Sequence, residues 1–214
     1  MDMTFIPGAR YRTIANPIAS TLMEKKSRFL CLLTPVASED EVHATLASIK
    51  KEHWSANHHC YAFRLLDGTE RASDDGEPSG TAGRPMLHVL AGQELFGVLA
   101  VVTRYFGGTL LGAGGLVRAY SGVVAQAVKA AQIVTYAAHE KYEFPLAYAD
   151  YERIQNNVYS EPTWRVDANY AEVVTVTLIA PAADANRVRE QVTAMTRSAA
   201  YITPVEVLWL PMKG

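Results

Sequence analysis

The chain has 214 residues, of which 49% are hydrophobic and 20% are charged, a composition typical of a globular protein with a buried core. Its formal net charge at pH 7 is −2, from 20 Lys and Arg against 22 Asp and Glu. This balance argues against a protein that binds nucleic acid through an overall positive charge, but a local basic patch is still possible. No secretory signal is visible, and no apolar run approaches the roughly 20 residues of a membrane helix. The two cysteines are too few for a disulfide framework or a zinc cage. We therefore expect a cytoplasmic protein.

Two extended segments open the chain. Residues 11–14 and 29–33 have the apolar pattern of strands, and Lys25, Lys26 and Arg28 lie just before the second one. Cations in such a position contact phosphate in some proteins and protect a strand edge from aggregation in others. The sequence leaves both interpretations open.

A surface helix and a further strand follow. Ser38 is an N-cap residue ahead of three acidic residues, and apolar residues recur at helical spacing over the next three turns. Residues 58–63 then form a strand that begins with His58, His59 and Cys60. Neighbours on a strand point to opposite faces, so no more than two of these side chains reach one ion, and we predict no metal site.

The segment from Leu66 to Pro85 is predicted to be a long loop, a kind of segment that often carries function. Its three acidic residues are Asp74, Asp75 and Glu77. Such carboxylates hold a hard cation such as magnesium, serve as acid and base, cap turns, or pair with arginines, and the sequence does not choose among these roles. We place the first residue of a short helix at Pro85.

The stretch from Val98 to Gly122 organises the first half of the chain. Residues 98–102 are apolar and rich in β-branched side chains, which predicts a central strand buried on both faces. A glycine-rich loop with two arginines follows, and then a helix with apolar residues from Leu116 to Ala131 along one face. The residues assigned to a candidate anion-binding site are Arg104, Gly107, Gly108, Gly112, Gly114, Gly115 and Arg118.

Strand, glycine loop and helix are the arrangement in which free backbone N–H groups surround an anion, with the helix dipole adding to the attraction. The two arginines would add full charges, and the acidic loop would position them. The alternative is that the glycines only form a tight turn and let the helix pack on the sheet. The Walker pattern and the dinucleotide fingerprint are both absent, since Gly115 is followed by Leu116 and Val117.

The second half of the chain has the element order βαββαβ. Strands are predicted at 142–147, 164–170, 174–180 and 201–210, with helices at 150–158 and 185–195. This order matches a ferredoxin-like sandwich, in which two helices cover one face of a four-stranded antiparallel sheet. Sheets of this type bind RNA through aromatic side chains, but Trp164 and Tyr170 are assigned here to a core or an interface.

Three motifs occur in order: HHCYAF at 58–63, SDDGEPSGTAGRPML at 73–87 and VVTRYFGGTLLGAGGLVRAYSG at 101–122. Together they resemble the IMPACT family, in particular its bacterial YigZ-type members. The resemblance covers most of residues 20–130, and the second half of the chain fits the family's smaller C-terminal domain by its pattern of elements. Ser55 departs from the acidic residue expected ahead of the histidines.

The resemblance implies an α+β protein of two domains. Residues 1–136 would form a two-layer α/β sandwich like the second domain of a small-subunit ribosomal protein and domain IV of elongation factor G. Residues 137–214 would form a ferredoxin-like βαββαβ domain, similar to those of elongation factor G.

Eukaryotic members of the family are linked to translational control. The resemblance therefore implies a cytoplasmic, non-catalytic regulator of translation that binds RNA, the ribosome or a ribosome-associated partner through the Gly/Arg loop. One alternative is an enzyme that acts on a small phosphorylated or nucleotide substrate with magnesium bound by Asp74 or Asp75. Another is that all three motifs are structural. We predict no catalytic residue, no cofactor, no bound metal and no membrane association.

Overall fold

The computed structural model describes residues 10–152, 161–196 and 202–212. Beyond residue 10 the chain divides into two compact units, Tyr11–Thr135 and Tyr136–Gly214, which are described separately. None of the helices in the described ranges combines the length and the apolar character that a bilayer-spanning segment requires.

The first unit is an antiparallel sheet with helices on both of its faces. The strands of this sheet are β2 (Ile18–Glu24), β3 (Ser27–Pro35), β4 (His58–Arg64), β5 (Glu70–Ser73) and β6 (Val98–Tyr105). Strand β1 (Arg10–Ile14) lies outside this sheet. The helices of the unit are α1 (Glu39–Glu52), α2 (Gly83–Gly92) and α3 (Ala113–Ala130). The sheet has the order β2-β3-β6-β4-β5.

Strand β6 is the centre of this unit, as the apolar run predicts. It pairs with β3 on one side and with β4 on the other, and all but its last residue are buried. Alternate residues face opposite ways: Val102 packs in the core beneath α2 and α3, whereas Val101 packs in a second cluster with α1. Helix α1 thus adds a layer to the two-layer sandwich that the resemblance implies.

The long loop predicted from Leu66 to Pro85 contains regular structure. Its first half includes β5, and α2 begins at Gly83, so Pro85 is the third helical residue rather than the first. The cause is Asp74, whose carboxylate accepts hydrogen bonds from the first amides of α2. Strand β2 is not predicted from the sequence; it lies at the sheet edge, and none of its residues is fully buried.

The second unit is ferredoxin-like. It contains β7 (Ile133–Leu146, which starts in the first unit), β8 (Arg165–Tyr170), β9 (Val174–Pro181), α4 (Ala185–Thr196) and β10 (Glu206–Pro211), with residues 148–152 also helical. The order β10-β7-β9-β8, antiparallel throughout, is that of the ferredoxin-like sandwich. Together with the antiparallel sheet and the helices of the first unit, it confirms the α+β class.

In the second unit the start of β7 differs from the prediction, and the two aromatic residues assigned to a core or an interface have different environments. Strand β7 begins at Ile133 rather than at Tyr142, because burial alternates along the whole segment from Ala138 to Leu146. Trp164 is buried, whereas Tyr170 is 58% exposed and stacks on Tyr148. The predicted helix at 150–158 and the predicted strand start at 201 extend into positions outside the described residues.

Candidate functional site

A cleft of about 450 Å³ lies in the first unit, between the end of β6 and the start of α3. Its wall includes His58 from β4, Glu77 from the acidic loop and Arg104 from β6. Phe106 and Leu110 complete it from the glycine loop, together with the first turn of α3. Residues from all three motifs therefore meet at one place.

The base of this cleft is a buried ion pair. Arg104 Nη1 donates to Glu77 Oε1 at 2.5 Å, and the two side chains are only 6% and 3% exposed. The Arg104 guanidinium also lies between the rings of Phe29 and Phe106, 5.3 and 5.5 Å from their centroids. Arg104 is thus buried at the base of the cleft, and Glu77 neutralises its charge.

Tyr120 extends this pair into a network. Its hydroxyl donates to Glu77 Oε1 at 2.7 Å, and the Cys60 thiol lies 3.3 Å from the same hydroxyl. Burial raises the pKa of Cys60 to about 12 and also raises the pKa of Tyr120 above its ordinary value. Both groups stay protonated at neutral pH, so the network carries a single negative and a single positive charge.

The other two carboxylates of the acidic loop also hold protein groups. Asp74 accepts hydrogen bonds from the amides of Gly80, Ala82 and Gly83 at 2.8–3.0 Å. Burial raises the pKa of Asp74, but these three bonds outweigh it and leave the pKa below its ordinary value. Within the described ranges, no group of three His, Cys, Asp or Glu residues is placed to hold a metal ion.

Asp75 fastens the acidic loop to β4 and α1. Its carboxylate accepts from the His59 amide at 2.7 Å and lies 3.4 Å from Lys50 Nζ. Its backbone carbonyl accepts from His58 Nδ1 at 2.9 Å, which fixes the proton of neutral His58 on Nδ1. His58 Nε2 is left facing Glu77 Oε2 at 3.9 Å on the cleft wall.

Gly107 joins the glycine loop to the turn between β2 and β3. A Cβ atom on Gly107 would lie 2.1 Å from the backbone of Lys26, so no side chain fits there. Its amide donates to Ser27 Oγ at 3.1 Å and is therefore already used. This contact brings the exposed cations Lys25 and Lys26 beside the loop.

The start of α3 is free to accept an anion. Its N-cap is Gly112, whose φ of 72° suits glycine and which offers no side chain to the amides of the first turn. Arg118 is exposed, and its Nη1 lies 3.6 Å from the Cβ position of Gly114, over that first turn. No acidic group within the described ranges forms an ion pair with Arg118.

The predicted site residues thus fall into two groups. Arg104 and Gly107 belong to the interior framework, with Glu77 positioning Arg104 as expected of the acidic loop. The second group lies at the surface and comprises Arg118, Gly108, Gly112, Gly114 and Gly115. Of these, Gly115 is half-buried against Leu111.

Sequence reasoning missed three contributors to the site. From the sequence alone, Tyr120 is predicted only to lie on a helix face, His58 is considered only as a metal ligand, and no role is predicted for Phe106. The sequence does contain a sign that Phe106 and Leu110 are exposed. Two large apolar residues in a glycine-rich loop have no core in which to pack. They are 44% and 82% exposed.

Comparisons with known proteins agree on one family. The model of the Impact N-terminal domain matches residues 25–128. The chain is 44% identical over 119 residues to IMPACT family member YigZ of Escherichia coli (strain K12), an alignment that covers 54% of this chain and 58% of that protein. A solved structure titled "Crystal structure of an hypothetical protein" is 30% identical and has a TM-score of 0.61, covering 95% of this chain and 98% of its own.

The match to a further relative extends over nearly the full length of both proteins. IMPACT family member YvyE of Bacillus subtilis (strain 168) is 35% identical over 202 residues, which cover 94% of this chain and 93% of the relative. This chain therefore belongs to the IMPACT family, as its three motifs predict.

Proposed function

We propose that this protein is a cytoplasmic regulator of translation that binds RNA, the ribosome or a ribosome-associated partner. The contact surface is the start of α3 with the glycine loop and the adjoining turn of Lys25 and Lys26. The observation that carries the proposal is Arg118, which is exposed and has no ion-pair partner among the described residues, above a first helical turn that none of their side chains caps.

The chemistry of this surface suits a phosphate group. Amides at a helix start donate to phosphate oxygens, and the positive end of the helix dipole attracts negative charge. Arg118 lies in the second turn of α3, and its guanidinium reaches back over the first turn and adds a full charge there. Lys25 and Lys26 add charge at the edge of the same surface. A protein with a net charge of −2 needs such a concentrated patch in order to bind nucleic acid.

The proposed contact surface is smaller than the set of residues predicted from the sequence. Contact with phosphate falls to Arg118, Gly108, Gly112, Gly114 and Gly115, whereas Arg104 and Gly107 support the loop from inside. The alternative of an enzyme with Asp-bound magnesium gains no support, because the carboxylates of Asp74 and Asp75 already hold backbone amides.

The translational setting rests on the family. Its eukaryotic members are linked to translational control, and we extend that role to this chain. A regulator of this kind acts by occupying a binding surface, so it requires no catalytic group.

The test is sedimentation of the protein with ribosomes and RNA on gradients at low salt, where phosphate contacts are strongest. We expect wild-type protein in the ribosomal or RNA-containing fractions and a clear loss with Arg118→Ala. Lys129→Ala is the matched control, since Lys129 is an exposed cation at the other end of α3, about 16 Å away at 1.5 Å per residue. Wild-type protein that stays at the top of the gradient at low salt would refute the proposal.

A further inference from the structure

We propose that the cleft beside α3 binds one unstacked nucleotide, with its base against the apolar wall and its phosphate on the first turn of the helix. This inference rests on the proposed function and adds to it what the site recognises. The same chemistry is offered by a nucleotide in single-stranded RNA and by a free mononucleotide.

The cleft has the size and lining that a base requires. Its volume of about 450 Å³ falls within the range of roughly 300–1,000 Å³ typical of small-molecule sites. Most of its wall is apolar, from Pro78, Phe106, Leu110, Leu111 and Leu116. A base exposes two π-faces that gain from leaving water for such a surface, and a phosphate or sugar alone gains nothing from it.

Phe106 is held in place before any ligand arrives. Its amide donates to Asn57 Oδ1 at 2.8 Å, and its ring packs on the Arg104 guanidinium. The ring is nevertheless 44% exposed, so part of its surface remains for a ligand. A fixed, partly exposed aromatic ring at the edge of a cleft is the usual platform for stacking a base.

Two polar groups point to a ligand with hydrogen-bonding edges. Arg104 lines the cleft and is more than nine-tenths buried, yet its Nε has no partner within the described part of the chain. His58 presents Nε2 on the same wall, because its Nδ1 is fixed by the Asp75 carbonyl. Base edges carry the acceptors and donors that such groups require.

The phosphate position adjoins the base position. Gly112 and Ala113 belong both to the cleft wall and to the uncapped start of α3, so the helix amides lie within one nucleotide's length of the apolar wall. The turn between β2 and β3, which contacts Gly107, carries the exposed residues Lys25 and Lys26. Their charges are available to further phosphates of a bound RNA strand. This combination favours a nucleic-acid strand over an acidic peptide, which has no flat aromatic group beside each charge.

The experiment measures fluorescence anisotropy of two labelled strands on the full chain. One is a short single-stranded oligouridylate, and the other has the same length and phosphates but abasic sugars. We expect wild-type protein to bind the first at least about fivefold more tightly. Phe106→Ala and Leu110→Ala should remove that ratio, whereas Trp54→Ala, which removes an aromatic ring 82% exposed and outside the cleft, should keep it.

Two results separate this inference from the proposed function. Equal affinity for both strands would overturn the base cleft and leave the phosphate surface standing. If neither strand binds and no ribosomal association occurs, the proposed function fails. In that case the cleft is tested by itself, by calorimetric titration of the protein with uridine monophosphate and with inorganic phosphate. Tighter binding of the nucleotide, lost in Phe106→Ala, would support the cleft with a free nucleotide as its ligand, and equal or absent binding would overturn it.

Discussion

Replacing Glu77 with glutamine should destabilise the first unit strongly. The substitution keeps the size of the side chain and removes its charge, so Arg104 keeps a positive charge with no counter-charge beside it. Both side chains are more than nine-tenths buried, and Glu77 is also the acceptor for the Tyr120 hydroxyl. The whole network beneath the cleft depends on this one carboxylate.

The expected magnitude follows from burial. Removing one partner of a buried ion pair costs about 3–5 kcal/mol, because the remaining charge stays desolvated without compensation. A domain of ordinary stability has roughly 5–15 kcal/mol in total, so Glu77→Gln should remove at least about a fifth of it. An exposed pair behaves differently and contributes less than about 1 kcal/mol.

The measurement is urea unfolding followed by circular dichroism, with hydrogen exchange of the β6 amides to assign the loss to the first unit. The matched control is Glu39→Gln, which breaks the ion pair of Glu39 with Arg71, whose side chains are 34% and 60% exposed. A loss in Glu77→Gln no greater than that in Glu39→Gln would show that Arg104 reaches water, and would refute the closed network described above.

Three further predictions concern single contacts. Gly107→Ala should lower the free energy of unfolding by about 1–3 kcal/mol, because its Cβ would overlap the backbone of the β2–β3 turn. Gly92→Ala is the control in the same urea assay and should be neutral or stabilising, because the Cβ position of Gly92 is open. Burial raises the pKa values of Cys31 and Cys60 to about 12. Both thiols should therefore resist a thiol reagent at pH 8 in the native protein and react once guanidinium unfolds it. Rapid labelling of the native protein would contradict this. Asp74→Asn should destabilise by about 1–2 kcal/mol at pH 7. Because the folded-state pKa of Asp74 is lowered from 3.8, the difference from wild type should shrink as the pH falls below that value, and a pH-independent difference would contradict the capping role.

The elements that the sequence predicts well are those whose periodicity matches their burial. Residues 98–102 are apolar at every position because β6 is covered on both faces, and the apolar face of α3 is the face that packs on the sheet. Ser38 caps α1 as expected, with its hydroxyl accepting from the Glu41 amide. The family follows from three motifs in order, and the comparisons confirm it.

The acidic loop shows what local sequence leaves open. Asp74, Asp75 and Glu77 are alike as isolated carboxylates, and each was consistent with a cation, a cap or an arginine partner. The fold gives them three different roles: Asp74 caps α2, Asp75 holds β4, and Glu77 pairs with Arg104. A role set by partners distant in sequence cannot be seen in the spacing of the residues themselves.

By itself, the sequence determined the α+β class, the central strand, the ferredoxin-like order of the second half and the stretch that holds the candidate site. Only the tertiary structure decided that Arg104 turns inward while Arg118 stays at the surface. The physical reason is burial: a charge on a central strand must find a partner in the interior, and Glu77 lies within 2.5 Å of it. The charge of Arg118, in the second turn of α3, stays in water, where a ligand can reach it.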